Sequence, residues 1–342
     1  MPSATLPPEL HQIARDAART GRRAAPPRTA TILGLGHYLP SEVVTNGAIA
    51  EHMEGVDDEW IVRRTGIHAR RRVAPNERTS DLAVFAGRRA LQDAGVEAID
   101  VDYVIVATMS ADEITPNCAP LVAHALGAER AAAFDVGAAC TGFLAGLAQA
   151  SALVEVGRAE RVLLIGAETL TRLTDFQDKK TGMLFGDGAG AAVIGPSQST
   201  AGVGPIDLLA DGGLGDTIVA TFDDGKIRMD GISTFKIAVK RLSESTVYAV
   251  AAAGLELDDI DLFVYHQANA RIIRAVGERL DLEPAKVADY ISQLGNTSAA
   301  SVPLTLSLAR EDGRLRPGHK VLLAAIGAGF TWGAGVMEWT AS

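Results

Sequence analysis

The chain has 342 residues, 47% hydrophobic and 22% charged, which is enough apolar material for one large domain or two packed ones. Its 42 acidic residues against 32 basic ones give a net charge of −10, so no global positive field exists to attract nucleic acid. Only two cysteines occur, Cys118 and Cys140, which excludes a CxxC redox pair and a four-ligand metal framework and points to a reducing compartment.

Residues 1–29, "MPSATLPPELHQIARDAARTGRRAAPPRT", lack the apolar core of a signal peptide. They read as a flexible extension with one short helix at "PELHQIARDAART". Strand and helix signals then alternate: "TILGLG", the helical "SDLAVFAGRRALQDAG", "DYVIVATMS", "AAFDVG", the helical "CTGFLAGLAQASALVEVG" and "RVLLIGAE". This is α/β organisation with largely buried strands. No apolar run reaches the roughly 18 residues of a membrane span, so a cytoplasmic protein is expected.

An internal repeat organises the rest. Residues 90–105 align with 249–264 at an offset of 159, and the same offset matches "RVLL" at 161 with "KVLL" at 320. It also lays "GAACTGFLAGLAQA" (137–150) over "NTSAASVPLTLSLA" (296–309). Two homologous halves follow, 30–197 and 203–342, joined near "PSQSTAGVGP". Ligands of α/β sheets gather outside the carboxyl ends of strands. Cys140 occupies such a strand-to-helix junction, Asn296 opens the equivalent junction in the second half, and His266 follows the strand "DLFVY". Packing of the two halves could bring all three to one crevice.

By residue type alone, each has a plainer reading. A cysteine in an Ala/Gly-rich segment is commonly packing, a histidine at a strand end commonly a hydrogen-bonded core residue, and an asparagine after glycine commonly a turn former. Yet a helix amino terminus favours thiolate over thiol. The small neighbours Gly137, Ala138, Ala139 and Gly142 would let a carbonyl approach and leave the Cys140 N–H free as a donor. A Cys/His/Asn set suits thioester chemistry: the thiol accepts an acyl group, and neutral His and Asn donors stabilise an enolate on a second thioester.

The sequence resembles the β-ketoacyl-acyl-carrier-protein synthase III family of the thiolase superfamily. The resemblance spans about residues 30–342 and is carried by "DEWIVRRTGI" (58–67), "FDVGAACTGF", "FGDGAGAAV" (185–193), "HQANARI" (266–272), "GNTSAASVP" (295–303) and "GAGFTWG" (327–333). It implies a thiolase-like five-layer αβαβα fold and a homodimer. It implies that Cys140 takes the acyl group of an acyl-CoA primer, and that His266 and Asn296 promote decarboxylation of malonyl-acyl-carrier protein. The backbone N–H groups of Cys140 and Ala328 would form the oxyanion hole, Ala328 standing where the family usually has glycine. Trp60 and Arg64 would grip the adenine end of coenzyme A. Lys179 stands in place of a second arginine and keeps charge without planar stacking. Asn269 would line the coenzyme A site and support the second substrate through a water. Lys236 and Arg271 would contact the carrier protein's acidic helix, although the run Arg63, Arg64, Arg70, Arg71, Arg72 reads equally as a solvated face. Thr115 replaces a phenylalanine that, in several relatives, reaches from the partner subunit to close the acyl pocket, so a longer or branched primer is expected. Acyl-CoA is then a substrate, with no cofactor or metal and no nucleic-acid or membrane partner.

Rival readings differ in what they need. A degradative thiolase needs a second cysteine, which "GAGFTWG" lacks, and a plant-type polyketide synthase fits the motifs less well. A specialised acyltransferase acting on a hydroxyl or amine would keep Cys140 and His266. Intact Asn296 speaks against it, and Lys179 and the extension speak for it. An inactive dimer partner would be expected to lose the nucleophile. "GLGHYL" and "GDGAGA" lack the remaining residues of a dinucleotide or P-loop motif.

Overall fold

The computed structural model describes residues 28–341, so the short helix expected within the extension lies outside the described residues. In chain order the first half contains β1 (Ala30–Tyr38), β2 (Glu42–Thr45), α1 (Asn46–Ala50), α2 (Asp58–Thr65), β3 (Ala69–Arg72), α3 (Thr79–Ala94), β4 (Tyr103–Ala107), α4 (Cys118–Leu126), β5 (Ala132–Val136), α5 (Gly142–Glu155), β6 (Val162–Thr169) and β7 (Asp187–Pro196). The second contains β8 (Val203–Ala210), β9 (Ile218–Ala220), β10 (Ile227–Met229), α6 (Gly231–Ala252), β11 (Leu262–Tyr265), α7 (Ala270–Leu280), α8 (Ile291–Leu294), α9 (Ser301–Glu311), β12 (Lys320–Gly327) and β13 (Thr331–Glu338).

The main strands form two sheets of one topology. The first runs β1-β7-β6-β4-β5, and the second, read from its β8 edge, runs β8-β13-β12-β11. In both, a parallel pair (β4 with β6, β11 with β12) is followed by two antiparallel pairs toward the β1 or β8 edge, and in the first sheet β4 also pairs in parallel with β5. The counterpart of β5 shrinks to a single parallel bridge, Phe263 to Val287.

Hydrophobic pattern decides the layers. Helix α5 is apolar on most faces, and α5 and α9 lie between the sheets in the largest buried cluster, with Phe143, Leu147, Val302 and Leu306. Helices α3 and α4 cover the outer face of the first sheet, with Leu82, Ala86 and Val122 buried against Val104 and Ile165. Helices α6 and α7 cover the second, burying Leu242, Ile273 and Val276 on Phe263 and Leu322. The result is a five-layer αβαβα stack of two pseudo-symmetric halves.

The repeat reaches individual dihedral angles. Single 3₁₀ turns at Ala139–Thr141 and Ser298–Ala300 precede α5 and α9, and each turn's first residue has φ +45° without being glycine. A left-handed conformation costs a residue with a Cβ about 1–2 kcal/mol. Both halves therefore carry the same strained turn at the strand-to-helix junction, one holding Cys140 and the other following Asn296.

Candidate active site

Cys140, His266 and Asn296 line one cavity of about 620 Å³, together with Ala328. Each sits at an element end facing the seam: Cys140 between β5 and α5, His266 directly after β11, Asn296 ahead of the Ser298 turn, and Ala328 directly after β12.

Access to Cys140 depends on Gly327. A Cβ built there would stand 2.7 Å from the Cys140 amide nitrogen, closer than atoms can pack, and a tight 3.2 Å from its Cβ. Neither the Cys140 nor the Ala328 N–H has a carbonyl partner among the described residues, which leaves two donors for an oxygen held beside the sulfur. Gly142 serves packing instead: its Cβ position lies 3.1 Å from the Ala107 methyl and 3.4 Å from the Ala299 methyl.

The thiolate expected from the helix terminus is not the resting state. Burial pushes the Cys140 thiol up to about 12, and the Glu168 carboxylate adds to the shift. The Ser298 hydroxyl and the residue's own N–H oppose it more weakly. The residue is only partly open to the cavity, so desolvation of the sulfur outweighs the helix terminus.

His266 is buried, and its backbone N–H donates to the Ala324 carbonyl at 2.8 Å. Nδ1 is enclosed without a partner, leaving Nε2 as the ring nitrogen that meets the cavity. Burial lowers its pKa to about 3, so the imidazole is neutral. The Asn296 N–H donates to the Leu184 carbonyl at 2.8 Å, and its carbonyl accepts from Gly186 N–H at 3.1 Å. Its side-chain Oδ1 accepts from Ser298 N–H at 2.9 Å, which leaves the amide NH₂ to donate into the cavity. A neutral thiol, a neutral imidazole and an amide donor thus converge with two free backbone N–H groups.

The rim is basic. Arg64, Lys179, Lys180, Lys236 and Arg271 border the cavity, and none forms a salt bridge among the described residues. The Arg64 guanidinium stacks 3.8 Å from the centroid of the Trp60 ring, so Trp60 stands behind Arg64 and does not itself line the cavity. The Asn269 amide is engaged in capping: Oδ1 accepts from Arg271 N–H at 2.9 Å, and Nδ2 donates to the Arg64 carbonyl at 3.1 Å. It ties α2 to α7. Thr115 does not border its own chain's cavity. It is exposed on the loop before α4, beside Ile114, which is 90% exposed. The arginine run is not all solvated face, because Arg70 is buried and donates to Asn46 Oδ1 and to the Val44 and Met183 carbonyls.

Comparison with known proteins decides the family. Residues 134–212 match the family described as 3-oxoacyl-[acyl-carrier-protein] synthase III, and residues 250–339 match its C-terminal counterpart. The β-ketoacyl-[acyl-carrier-protein] synthase III of Rhodospirillum rubrum is 46% identical over 319 residues, covering 90% of this chain and 98% of the relative. The chain belongs to the synthase III family. As a synthase III it is an acyl-transferring condensing enzyme with a thiolase-like fold. The synthase III structure from Aquifex aeolicus superposes with a TM-score of 0.88 at 38% identity, covering 91% of this chain and all of the other. The priming β-ketosynthase of the R1128 polyketide pathway gives 0.89 at 35% identity, covering 94% and 99%.

In this synthase III the structure adds residues that motif reading missed. Gly327 keeps the Cys140 N–H accessible, and Ser298 lies near both Cys140 and Glu168 while its Oγ makes no hydrogen bond. Glu168 is fully buried beneath the cavity. The signal was present as a carboxylate closing the apolar strand run "RVLLIGAE".

Proposed function

We propose that this enzyme condenses an acyl-CoA primer with malonyl-acyl-carrier protein, initiating fatty acid or polyketide chains. The observation that carries the reading is the convergence of Cys140, His266 and Asn296 on one cavity. The Cys140 sulfur attacks the primer's thioester carbonyl, and the Cys140 and Ala328 N–H groups hold the developing oxyanion. The C–S bond to coenzyme A breaks, the proton leaves with the coenzyme A thiol, and acyl-cysteine remains. Malonyl-acyl-carrier protein then loses CO₂. His266 Nε2 and the Asn296 amide stabilise the enolate oxygen, and the carbanion attacks the acyl-cysteine. A 3-oxoacyl-carrier protein forms and Cys140 is released. Thioester exchange and decarboxylation of this kind require no resident metal or redox cofactor.

The basic rim supports the partners. Arg64, backed by Trp60, and Lys179 suit coenzyme A phosphates and adenine, with Asn269 holding the Arg64 segment in place. Lys236 and Arg271 suit an acidic carrier protein. The halves 30–197 and 203–342 are the units whose packing closes the site. A homodimer is supported by β5, an edge strand that is partly exposed along its length. The Thr115 loop lies beside that edge, because Asp135 of β5 accepts from the Cys118 and Ala119 N–H groups at the start of α4. A second copy pairing there would bring Thr115 toward its partner's cavity, where threonine leaves room for a primer longer or more branched than acetyl. No helix among the described residues is long and apolar enough to cross a membrane, which suits a cytoplasmic enzyme.

Intact mass after mixing with a panel of acyl-CoA thioesters tests the loading step. The protein gains the mass of the acyl group, C140A gains none, and branched or longer primers load at least as well as acetyl. An unmodified protein with every donor would contradict the loading step.

A further inference from the structure

The repeat that relates the halves also relates two pairs of residues around the site. At the offset of 159, Cys140 corresponds to Ala299 and Gly327 corresponds to Glu168. The contacts respect the equivalence. Gly327, at the end of β12, stands against the Cys140 turn and leaves its N–H open to the cavity. Glu168, near the end of β6, stands against the Ala299 turn, and its Oε1 accepts from the Ala299 N–H at 3.4 Å. The anion-binding turn therefore exists twice. In one copy the N–H meets no protein acceptor among the described residues, and in the other it donates to the protein's own carboxylate.

That carboxylate is deeply held. It accepts from Ser110 Oγ at 2.5 Å, Thr108 Oγ1 at 3.2 Å and Met109 N–H at 3.2 Å, all on the segment after β4. The turn it grips also positions Asn296, since consecutive N–H groups are divided between two acceptors: Ser298 N–H goes to Asn296 Oδ1 and Ala299 N–H to Glu168. We propose that Glu168 is a positioning residue for the condensation, fixing the turn that aims the Asn296 amide. The proposal rests on the condensing function proposed above.

The test compares E168Q and E168D with the wild-type chain in two assays: acyl loading of Cys140 from acyl-CoA, followed by intact mass, and CO₂ release from malonyl-acyl-carrier protein. Both variants lose decarboxylation about tenfold, the scale of one lost hydrogen bond to a charged group, while loading stays within about threefold of the wild type. Wild-type decarboxylation in both variants, or an equal loss of loading and decarboxylation, would overturn the proposal. If E168Q fails to fold by circular dichroism, E168D decides through the same split. Absence of CO₂ release from the wild type would instead count against the condensing function.

Discussion

Two side chains to which the proposed chemistry is assigned are held neutral by desolvation. Cys140 is pushed up to about 12 and His266 down to about 3. For the thiol, a raised pKa means that the reactive anion is scarce near neutrality and grows about tenfold with each pH unit. Alkylation of Cys140 should therefore climb steadily from pH 7 to 10; a plateau near the ordinary thiol range would contradict this. For the imidazole, a lowered pKa means that His266 stays a neutral donor across the working range. H266A and N296A should each slow decarboxylation about 10²–10³-fold, as removal of an oxyanion donor does, and leave acyl loading of Cys140 within about tenfold, both followed by CO₂ release and intact mass. At this scale the sequence was only partly legible. Cys140, His266 and Asn296 stood out through their flanking motifs. The thiol's ionisation was misjudged, because a helix terminus is visible in sequence and depth of burial is not. Of the four small neighbours read as giving access, Gly142 packs against Ala107 and Ala299, and Gly327, distant in sequence, was missed.

Helices α2, α6 and α7 set the mouth of the cavity, and their ends place the cations. Asn269 caps α7 and holds the last turn of α2, so it joins the backbones that carry Arg64 and Arg271. Arg271 also lies 5.5 Å from the centroid of the Phe235 ring on α6, next to Lys236. Reversing both charges, in K236E/R271E, should raise KM for malonyl-acyl-carrier protein about tenfold at low salt and leave acyl-CoA loading unchanged. The difference should shrink as salt screens it. Equal KM values for wild type and variant at low salt would remove these residues from the docking surface. Strands β1, β4, β5, β6 and β11 and helices α3 and α5 were legible from apolar runs and helical periodicity, whereas the longest helix, α6, was not read. The β9–β10 hairpin was not, because its strands are three residues each and part of the apolar content of "TIVATFDDGKIRM" faces the cavity: Ile218, Ile227 and Met229 line it.

The whole molecule is a duplication whose two copies have diverged at the same joint. The constant offset of 159 made the halves legible in sequence, and the shared sheet order and paired φ +45° turns are its structural counterpart. Divergence placed Cys140 at one turn and the Glu168 carboxylate against the other, information that becomes visible only when β6 and β12 are seen against the opposite halves. The partly exposed β5 edge was likewise hidden, since its residues read as an ordinary buried strand. The most direct test of a condensing enzyme is the mass of the carrier protein after reaction of malonyl-acyl-carrier protein with an acyl-CoA primer. The account predicts a 3-oxoacyl-carrier protein two carbons longer than the primer, with one CO₂ released per product and none formed by C140A. Transfer of the intact acyl group to a hydroxyl or amine, without CO₂, would contradict it.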